Sequence, residues 1–200
     1  MDTPDTKKLV ETGLQLVITL VLSSVSIALV FLATYLFIFP IPATQGYLNF
    51  GDVLIFTMAL AFGPVVGGIG GGVGSSLSDV FGGFSTFAPF TLIIKGLEGL
   101  VAGFIADRRF RGSPFLAWLV AGSIMVGGYF LTESIFIALL FGASGTTGVV
   151  AALSEVPFNV LQVFAGGLVG VPVSRVLRRE FRSYLFPTFA KRPSVAEKKG

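Results

Sequence analysis

Long apolar runs are the feature that most restricts how this chain can fold. The first run, roughly Leu14 to Phe39, contains no charged residue. A helix needs about 20 mostly apolar residues to cross the hydrocarbon core of a bilayer. Acidic Asp2, Asp5 and Glu11 precede the run and no small-residue cleavage site follows it, so we expect a retained membrane span and not a cleaved signal peptide.

Five further apolar segments follow, and together they predict an all-α integral membrane protein with six transmembrane helices. The segments cover roughly residues 50–62, 65–81, 90–105, 114–141 and 149–177, and Gly63-Pro64 separates the second span from the third. Only 12% of residues are charged, whereas a soluble domain has about 25%. We expect a cytoplasmic N-terminus over residues 1–13, a membrane domain over 14–178 and a basic cytoplasmic tail over 179–200.

The basic residues predict the orientation of these spans. With six spans and both termini in the cytoplasm, 13 of the 14 Lys and Arg residues fall on the cytoplasmic side. The three loops on the opposite side, near residues 40–49, 82–89 and 142–148, contain no basic residue. Cytoplasmic loops of membrane proteins carry such an excess of positive charge. The exception is Lys95, which lies inside the fourth span.

The stretch LIIKGLEG, residues 92–99, places Lys95 and Glu98 in this otherwise apolar helix. On the predicted topology, six ionisable residues lie within spans and in their outer halves: Asp52, Asp79, Lys95, Glu98, Glu133 and Glu155. Charges in hydrocarbon are unfavourable unless they are paired or hydrated, and they usually face a cavity or pathway. The shared depth therefore predicts a polar pocket open to the outside.

Other polar residues extend this pocket by helical spacing. Glu155, Asn159 and Gln162 follow an i, i+4, i+7 pattern, which puts them on one face of the sixth helix, and Tyr129 and Glu133 are four residues apart. The predicted ligand-binding residues are Glu133, Glu155, Asn159, Lys95, Glu98, Tyr129, Gln162, Asp52 and Asp79.

Structural roles compete with ligand contact at some of these positions. Lys95 and Glu98, three residues apart on one helix, could simply neutralise each other. Asp52 and Asp79 could be capping or interfacial groups at helix ends. Glu133, Glu155 and Asn159 have no in-helix partner of opposite charge, which favours ligand contact there.

A glycine tract at residues 67–74, GGIGGGVG, resembles a nucleotide-binding loop but completes neither common phosphate-binding motif. Its small-x-x-x-small spacing instead predicts close helix packing, through Gly67/Gly71 and the pairs that follow. The chain also lacks Cys and His, which excludes disulfides, thiolate metal sites and imidazole chemistry. We expect no catalytic residues, no metal and no cofactor, and hence a protein that is not an enzyme.

The order of motifs resembles the substrate-binding S component of energy-coupling-factor (ECF) vitamin transporters. The resemblance covers roughly residues 14–178 and rests on GDVLIFTMALAFGPVVGGIGGGVGSSLSDVFGG, FAPFTLIIKGLEGLVAG, GYFLTE and EVPFNVLQVFAGGLVGVP. It is strongest to the subfamily associated with riboflavin, hydroxymethylpyrimidine or pyridoxine uptake. It implies a multi-pass plasma-membrane protein that captures a vitamin-like ligand. The implied partners are a transmembrane T subunit and two cytoplasmic ATPases, with no nucleic acid.

The resemblance also implies roles for particular residues. Family members dock on the T subunit partly through an A-x-x-x-A motif in helix one, and Ser24 and Ala28 give the nearest match here. In the family the loop after helix one gates the site. In this chain that loop is FPIPATQGYLNF, in which Tyr47 and Phe50 could cover a ring.

Five carboxyl groups and one lysine in the predicted pocket favour a donor-rich heteroaromatic ligand over a multiply anionic one. Two other functions remain open from the residues alone. One is a stand-alone secondary transporter driven by protonation of Glu133 or Glu155, although no inverted repeat is evident. The other is a membrane scaffold of similar fold that binds no small ligand.

Overall fold

Six helices and one short hairpin make up the described part of the computed structural model, which covers residues 4–41, 46–107, 112–140 and 145–181. The helices are α1 (Pro4–Tyr35), α2 (Gly51–Phe62), α3 (Pro64–Gly82), α4 (Ala88–Ile105), α5 (Pro114–Leu140) and α6 (Gly145–Glu180). The antiparallel strands are β1 (Phe39–Pro40) and β2 (Tyr47–Leu48), with Phe39 opposite Leu48. The predicted helix order is therefore confirmed.

The helices have the composition of membrane segments. Four of them, α1, α4, α5 and α6, are long and apolar enough to cross a bilayer. Large apolar side chains stay exposed along their outer faces, as at Leu20, Leu100 and Leu168. Lipid can cover such faces, whereas water would disfavour them. The chain is thus an all-α membrane protein, in which α2 has only 12 residues and α3 is glycine-rich.

The junction between α2 and α3 lies where the sequence predicts it. Gly63 has φ of 100°, a conformation that residues with a side chain rarely adopt, and Pro64 starts α3 at its first turn. The short α2 is the most enclosed helix, and Phe56, Ala59 and Leu60 on it belong to the central apolar cluster. Glycines of α6 make room for it, because a Cβ at Gly170 would lie 2.9 Å from that of Phe56.

Glycines bring α3 and α4 into backbone contact. A Cβ at Gly71 would lie 2.6 Å from the carbonyl oxygen of Lys95, and one at Gly72 would lie 2.7 Å from that of Leu92. A Cβ at Gly99 would overlap the backbone of Gly67. The glycine tract is therefore a packing surface, as its spacing predicts.

The ends of the outer helices differ from the sequence-based limits. Helix α1 begins at Pro4 and ends at Tyr35. It ends before the predicted Phe39 because residues 39–40 pair with residues 47–48 as short strands. Helix α6 begins at Gly145, before the predicted Val149. The predicted end of the fifth span at Phe141 and the tail from residue 182 lie outside the described residues.

The glycine contacts can be tested with a matched pair of substitutions. We expect Gly99→Ala to destabilise the protein by about 1–3 kcal/mol, the usual range for overpacking. Gly127→Ala is the control, because nothing lies within 4 Å of a Cβ at Gly127. Alanine is the better helix former, so Gly127→Ala should leave the melting temperature in detergent unchanged or higher. Equal melting temperatures for the two variants would contradict this packing role.

Candidate ligand-binding site

A cavity lies among helices α1, α3, α4, α5 and α6 and the β-hairpin. The cavity is small, with a volume of about 40 Å³. Its lining residues are Thr34, Gly46, Tyr47, Asn49, Ser75, Asp79, Phe84, Phe87, Thr91, Lys95, Met125, Tyr129, Glu133, Glu155, Asn159 and Gln162. Seven of the nine predicted ligand-binding residues are among them.

The other two predicted residues, Asp52 and Glu98, are fully buried beside Lys95 and do not line the cavity. The Lys95 ammonium bonds to the Asp52 carboxylate and, at 3.0 Å, to Glu98 Oε2. It also lies 5.8 Å from the centre of the Tyr129 ring. The pairing of Lys95 with Glu98, one of the two roles that the sequence leaves open for them, is therefore present, and Asp52 on α2 completes a buried ionic triad of Asp52, Lys95 and Glu98.

A polar chain connects this ionic triad to the loop over the cavity. Gln162 Nε2 on α6 donates to Asp52 Oδ1 at 3.1 Å. Its Oε1 accepts the backbone N–H of Asn49 at 3.0 Å, and Asn49 Oδ1 accepts the N–H of Gly51 at the start of α2 at 2.8 Å. The orientation of Gln162 is thus determined from both sides.

The hairpin closes part of the cavity mouth as a lid, which we define as residues 39–41 and 46–49. Its backbone N–H at Gly46 donates to Glu155 Oε1 on α6 at 2.9 Å. A Cβ at Gly46 would overlap the Glu155 carboxylate, so glycine permits this close approach. Phe50 packs edge-on against Phe37 and Phe39 and does not line the cavity, so it does not take the predicted role of a cover.

Tyr47 attaches the lid to α3. Its hydroxyl donates to Asp79 Oδ1 at 2.5 Å, and its ring packs against Phe84 with 4.6 Å between centroids. Burial raises the pKa of the Tyr47 hydroxyl, and the nearby Asp79 carboxylate raises it further. Tyr47 is therefore a proton donor at neutral pH, which suits a carboxylate partner.

Two carboxyl groups meet on the α5–α6 side of the cavity. Glu133 and Glu155 are within hydrogen-bonding reach of each other, and each side chain is 3% exposed. Glu133 Oε2 has no hydrogen-bond partner among the described residues. Adjacent carboxylates repel unless a proton or a donor group lies between them, so this pair is able to accept a hydrogen bond from a donor group.

Sequence comparison identifies the kind of protein that contains this cavity. Residues 15–179 match the sequence model of a family described as ECF-type riboflavin transporter, S component. The chain belongs to this family of ECF S components. It is a multi-pass protein of the plasma membrane, and its function is that of a substrate-binding transporter subunit. This assignment favours neither the stand-alone transporter nor the scaffold.

Two relatives of this S component cover most of the chain. One is the thiamine precursor transporter HmpT of Lactococcus lactis subsp. cremoris, which is 34% identical over 161 residues, 80% of this chain and 87% of the relative. The other is an uncharacterized protein in a gap 3′ region of Pyrococcus woesei, which is 39% identical over 141 residues, 70% of this chain and 88% of the relative.

Some cavity residues of this S component escape sequence reasoning. Thr91 precedes Lys95 by four residues, and Met125 precedes Tyr129 by four, so extending the helical spacing would have found both. Thr34 and Ser75 carry no such signal, because isolated hydroxyls are common in membrane helices. Phe84 and Phe87 lie in and at the end of the α3–α4 connection, where no periodicity applies.

The ionic triad can be tested at its centre. We expect Lys95→Met to destabilise the protein by about 3–5 kcal/mol, because it leaves two buried carboxylates without a counter-charge. Replacing all three residues, with Asp52→Asn and Glu98→Gln added, should restore much of the thermal stability in detergent. Exposed Lys8→Met is the control. A Lys95→Met protein with wild-type stability that no longer binds ligand would show that Lys95 serves the ligand and not the fold.

Proposed function

We propose that this S component captures an uncharged, unphosphorylated heteroaromatic vitamin or vitamin precursor in the described cavity. The observation that carries the proposal is the Glu133–Glu155 pair, whose oxygens can accept hydrogen bonds from ring-bound amino or hydroxyl groups. Asn159, 7% exposed and on the same face of α6 as Glu155, adds an amide that can donate and accept. Both groups are already buried in the protein, so a donor-bearing ligand meets preorganised partners.

The charge distribution argues against phosphorylated ligands. Lys95 is the only basic residue among the described residues that line the cavity, and two carboxylates already hold it. A phosphate group would therefore approach Asp79, Glu133 and Glu155 without a free cation to receive it. Calorimetry should show that hydroxymethylpyrimidine phosphate binds at least about tenfold more weakly than hydroxymethylpyrimidine.

Hydroxymethylpyrimidine is the first candidate, because HmpT is a thiamine precursor transporter and the compound offers amino and hydroxymethyl donors to paired carboxyl groups. Riboflavin is the second candidate, since the family description names it. Pyridoxine is the third candidate, because its donors are all hydroxyls and it lacks a ring-bound amino group. Titration of all three compounds against the same preparation ranks these candidates directly.

The binding residues can be tested without any nucleotide. We expect Glu133→Gln and Asn159→Ala to raise the Kd about tenfold or more, because a hydrogen bond to a charged group contributes about 1.5–3 kcal/mol. Exposed Glu11→Gln on α1 is the matched carboxylate control. Calorimetry is the appropriate measurement, because Trp118 bonds to the Val163 carbonyl and does not line the cavity. Wild-type affinity in Glu133→Gln, Glu155→Gln and Asn159→Ala would place the ligand elsewhere.

The ATP-driven step belongs to partner subunits in this proposal, namely an ECF T subunit and two ATPases. Ser24 and Ala28 are exposed on α1, on the side opposite its buried stripe of Ser23, Ser26 and Val30. Small residues at this spacing permit another helix to approach closely. The exposed face of α1 around Ala28 is therefore the proposed docking surface.

Docking and ligand binding should separate in one variant. Ala28→Leu should leave the Kd for ligand unchanged and reduce ATP-dependent uptake in vesicles that contain the complete transporter. Exposed Val120→Leu, on α5 and outside this face of α1, is the control for added bulk in lipid. Unchanged uptake in Ala28→Leu would exclude this face as the docking surface, and uptake by the S component alone would exclude the need for partners.

For the topology we propose six spans with both termini in the cytoplasm, supported by the distribution of the 14 basic residues. On this topology the lid and the cavity mouth face outward. The chain has no native cysteine, so Lys8→Cys and Thr86→Cys make two clean reporters in intact cells. An impermeant maleimide should label Thr86→Cys alone. Labelling of both positions, or of Lys8→Cys alone, would contradict the proposed orientation.

A further inference from the structure

We infer that Thr34 of α1 and Ser75 of α3 form a second ligand-binding wall, opposite the carboxyl pair, that hydrogen-bonds the acceptor edge of the ligand ring. The inference rests on the proposed function, since it concerns the same cavity. It extends the site to α1, which contributes no charged residue to the cavity lining, and to α3, which contributes only Asp79.

Both hydroxyls line the cavity and are buried, with residue exposures of 1% for Thr34 and 2% for Ser75. Neither Thr34 Oγ1 nor Ser75 Oγ has a hydrogen-bond partner within the described part of the chain. A buried hydroxyl without a partner costs about 1–3 kcal/mol. A ligand in the cavity would supply the hydrogen-bond partner that these two hydroxyls lack.

Other helix hydroxyls in this protein bond to the backbone of their own helix, whereas Thr34 and Ser75 do not. Thr19, Thr57 and Ser123 each donate to the carbonyl four residues earlier, at 2.8, 2.6 and 2.8 Å. This local bond is the usual way in which a membrane helix satisfies a hydroxyl. Thr34 and Ser75 make no such bond, so their donors and acceptors remain available.

The backbone places the two hydroxyls on one wall. Gly74 allows α1 to approach α3 closely, since a Cβ there would lie 2.8 Å from the carbonyl oxygen of Ile27 and 2.9 Å from Cβ of Val30. Ser75 follows Gly74, and Thr34 lies one turn beyond Val30. Gly51 leaves the space beside Thr34 Oγ1 that a side chain would fill.

The two walls differ in hydrogen-bonding capacity, and this difference defines the ligand. Glu133 and Glu155 offer acceptors, whereas hydroxyls can both donate and accept. A ring that presents amino or hydroxyl donors on one edge and an unprotonated ring nitrogen or carbonyl on the other satisfies both walls at once. Aminopyrimidines have this arrangement. The fused ring system of riboflavin has it only in part, because its one ring donor is an imide N–H between two carbonyls.

Isosteric substitutions test the second wall. We expect Thr34→Val and Ser75→Ala each to raise the Kd about three- to tenfold, measured by calorimetry with hydroxymethylpyrimidine and with riboflavin in detergent. Thr34→Ser keeps the hydroxyl and should retain affinity within about twofold. Thr57→Val removes a buried hydroxyl that does not line the cavity, so it controls for loss of a helix hydroxyl and should bind as the wild type does.

The outcomes separate this inference from the proposed function. If Thr34→Val and Ser75→Ala bind normally while Glu133→Gln and Asn159→Ala bind weakly, the second wall is refuted and the proposed site stands. If all four variants bind normally, the proposed site fails as well. If Thr34→Val is too unstable to titrate, Ser75→Ala and Thr34→Ser decide. Weaker binding by Ser75→Ala together with normal binding by Thr34→Ser supports the second wall. Normal binding by Ser75→Ala shows that Ser75 is not part of the wall.

Discussion

The burial of Lys95 between Asp52 and Glu98 is the interaction on which the interior of this protein depends. A lysine inside a membrane helix is unfavourable unless carboxylates neutralise it, and here one partner comes from its own helix and the other from α2. Gln162 joins the same cluster from α6. Three helices are therefore fixed at one depth by a group that lipid cannot solvate. A bilayer makes such pairing more stringent than water does, because no solvent can replace a lost partner.

The same cluster orders the site above it. Gln162 is held by Asp52 below and by the Asn49 N–H above, so the position of the lid follows from the position of the charges. Lys95 is held by two carboxylates and is therefore not free to bind an anion. The two carboxylates that stabilise the buried ammonium group therefore also underlie the preference for unphosphorylated ligands that we propose.

The charged part of the interior could be predicted from the sequence, because an ionisable residue in an apolar helix usually faces a partner or a cavity. Lys95, Glu133 and Glu155 stand out against their neighbours, and helical spacing added Asn159 and Gln162. The sequence could not show that Asp52 on α2 is the second partner of Lys95, since the contact between these two residues depends on how α2 packs against α4. The hairpin at residues 39–40 and 47–48 was also missed: two-residue strands have no periodicity, and Phe39 continues an apolar run that is typical of a helix.

The lid is bonded to α6 through main-chain N–H groups, at Gly46 and Asn49. Every amino acid except proline carries this donor, but three lid positions are restricted in other ways. Gly46 is constrained by the Glu155 carboxylate, Tyr47 by its bond to Asp79, and Asn49 by its bond to the start of α2. These three residues are also the described lid residues that line the cavity, so a substitution that changes what the lid presents to the cavity also changes how firmly the lid is held.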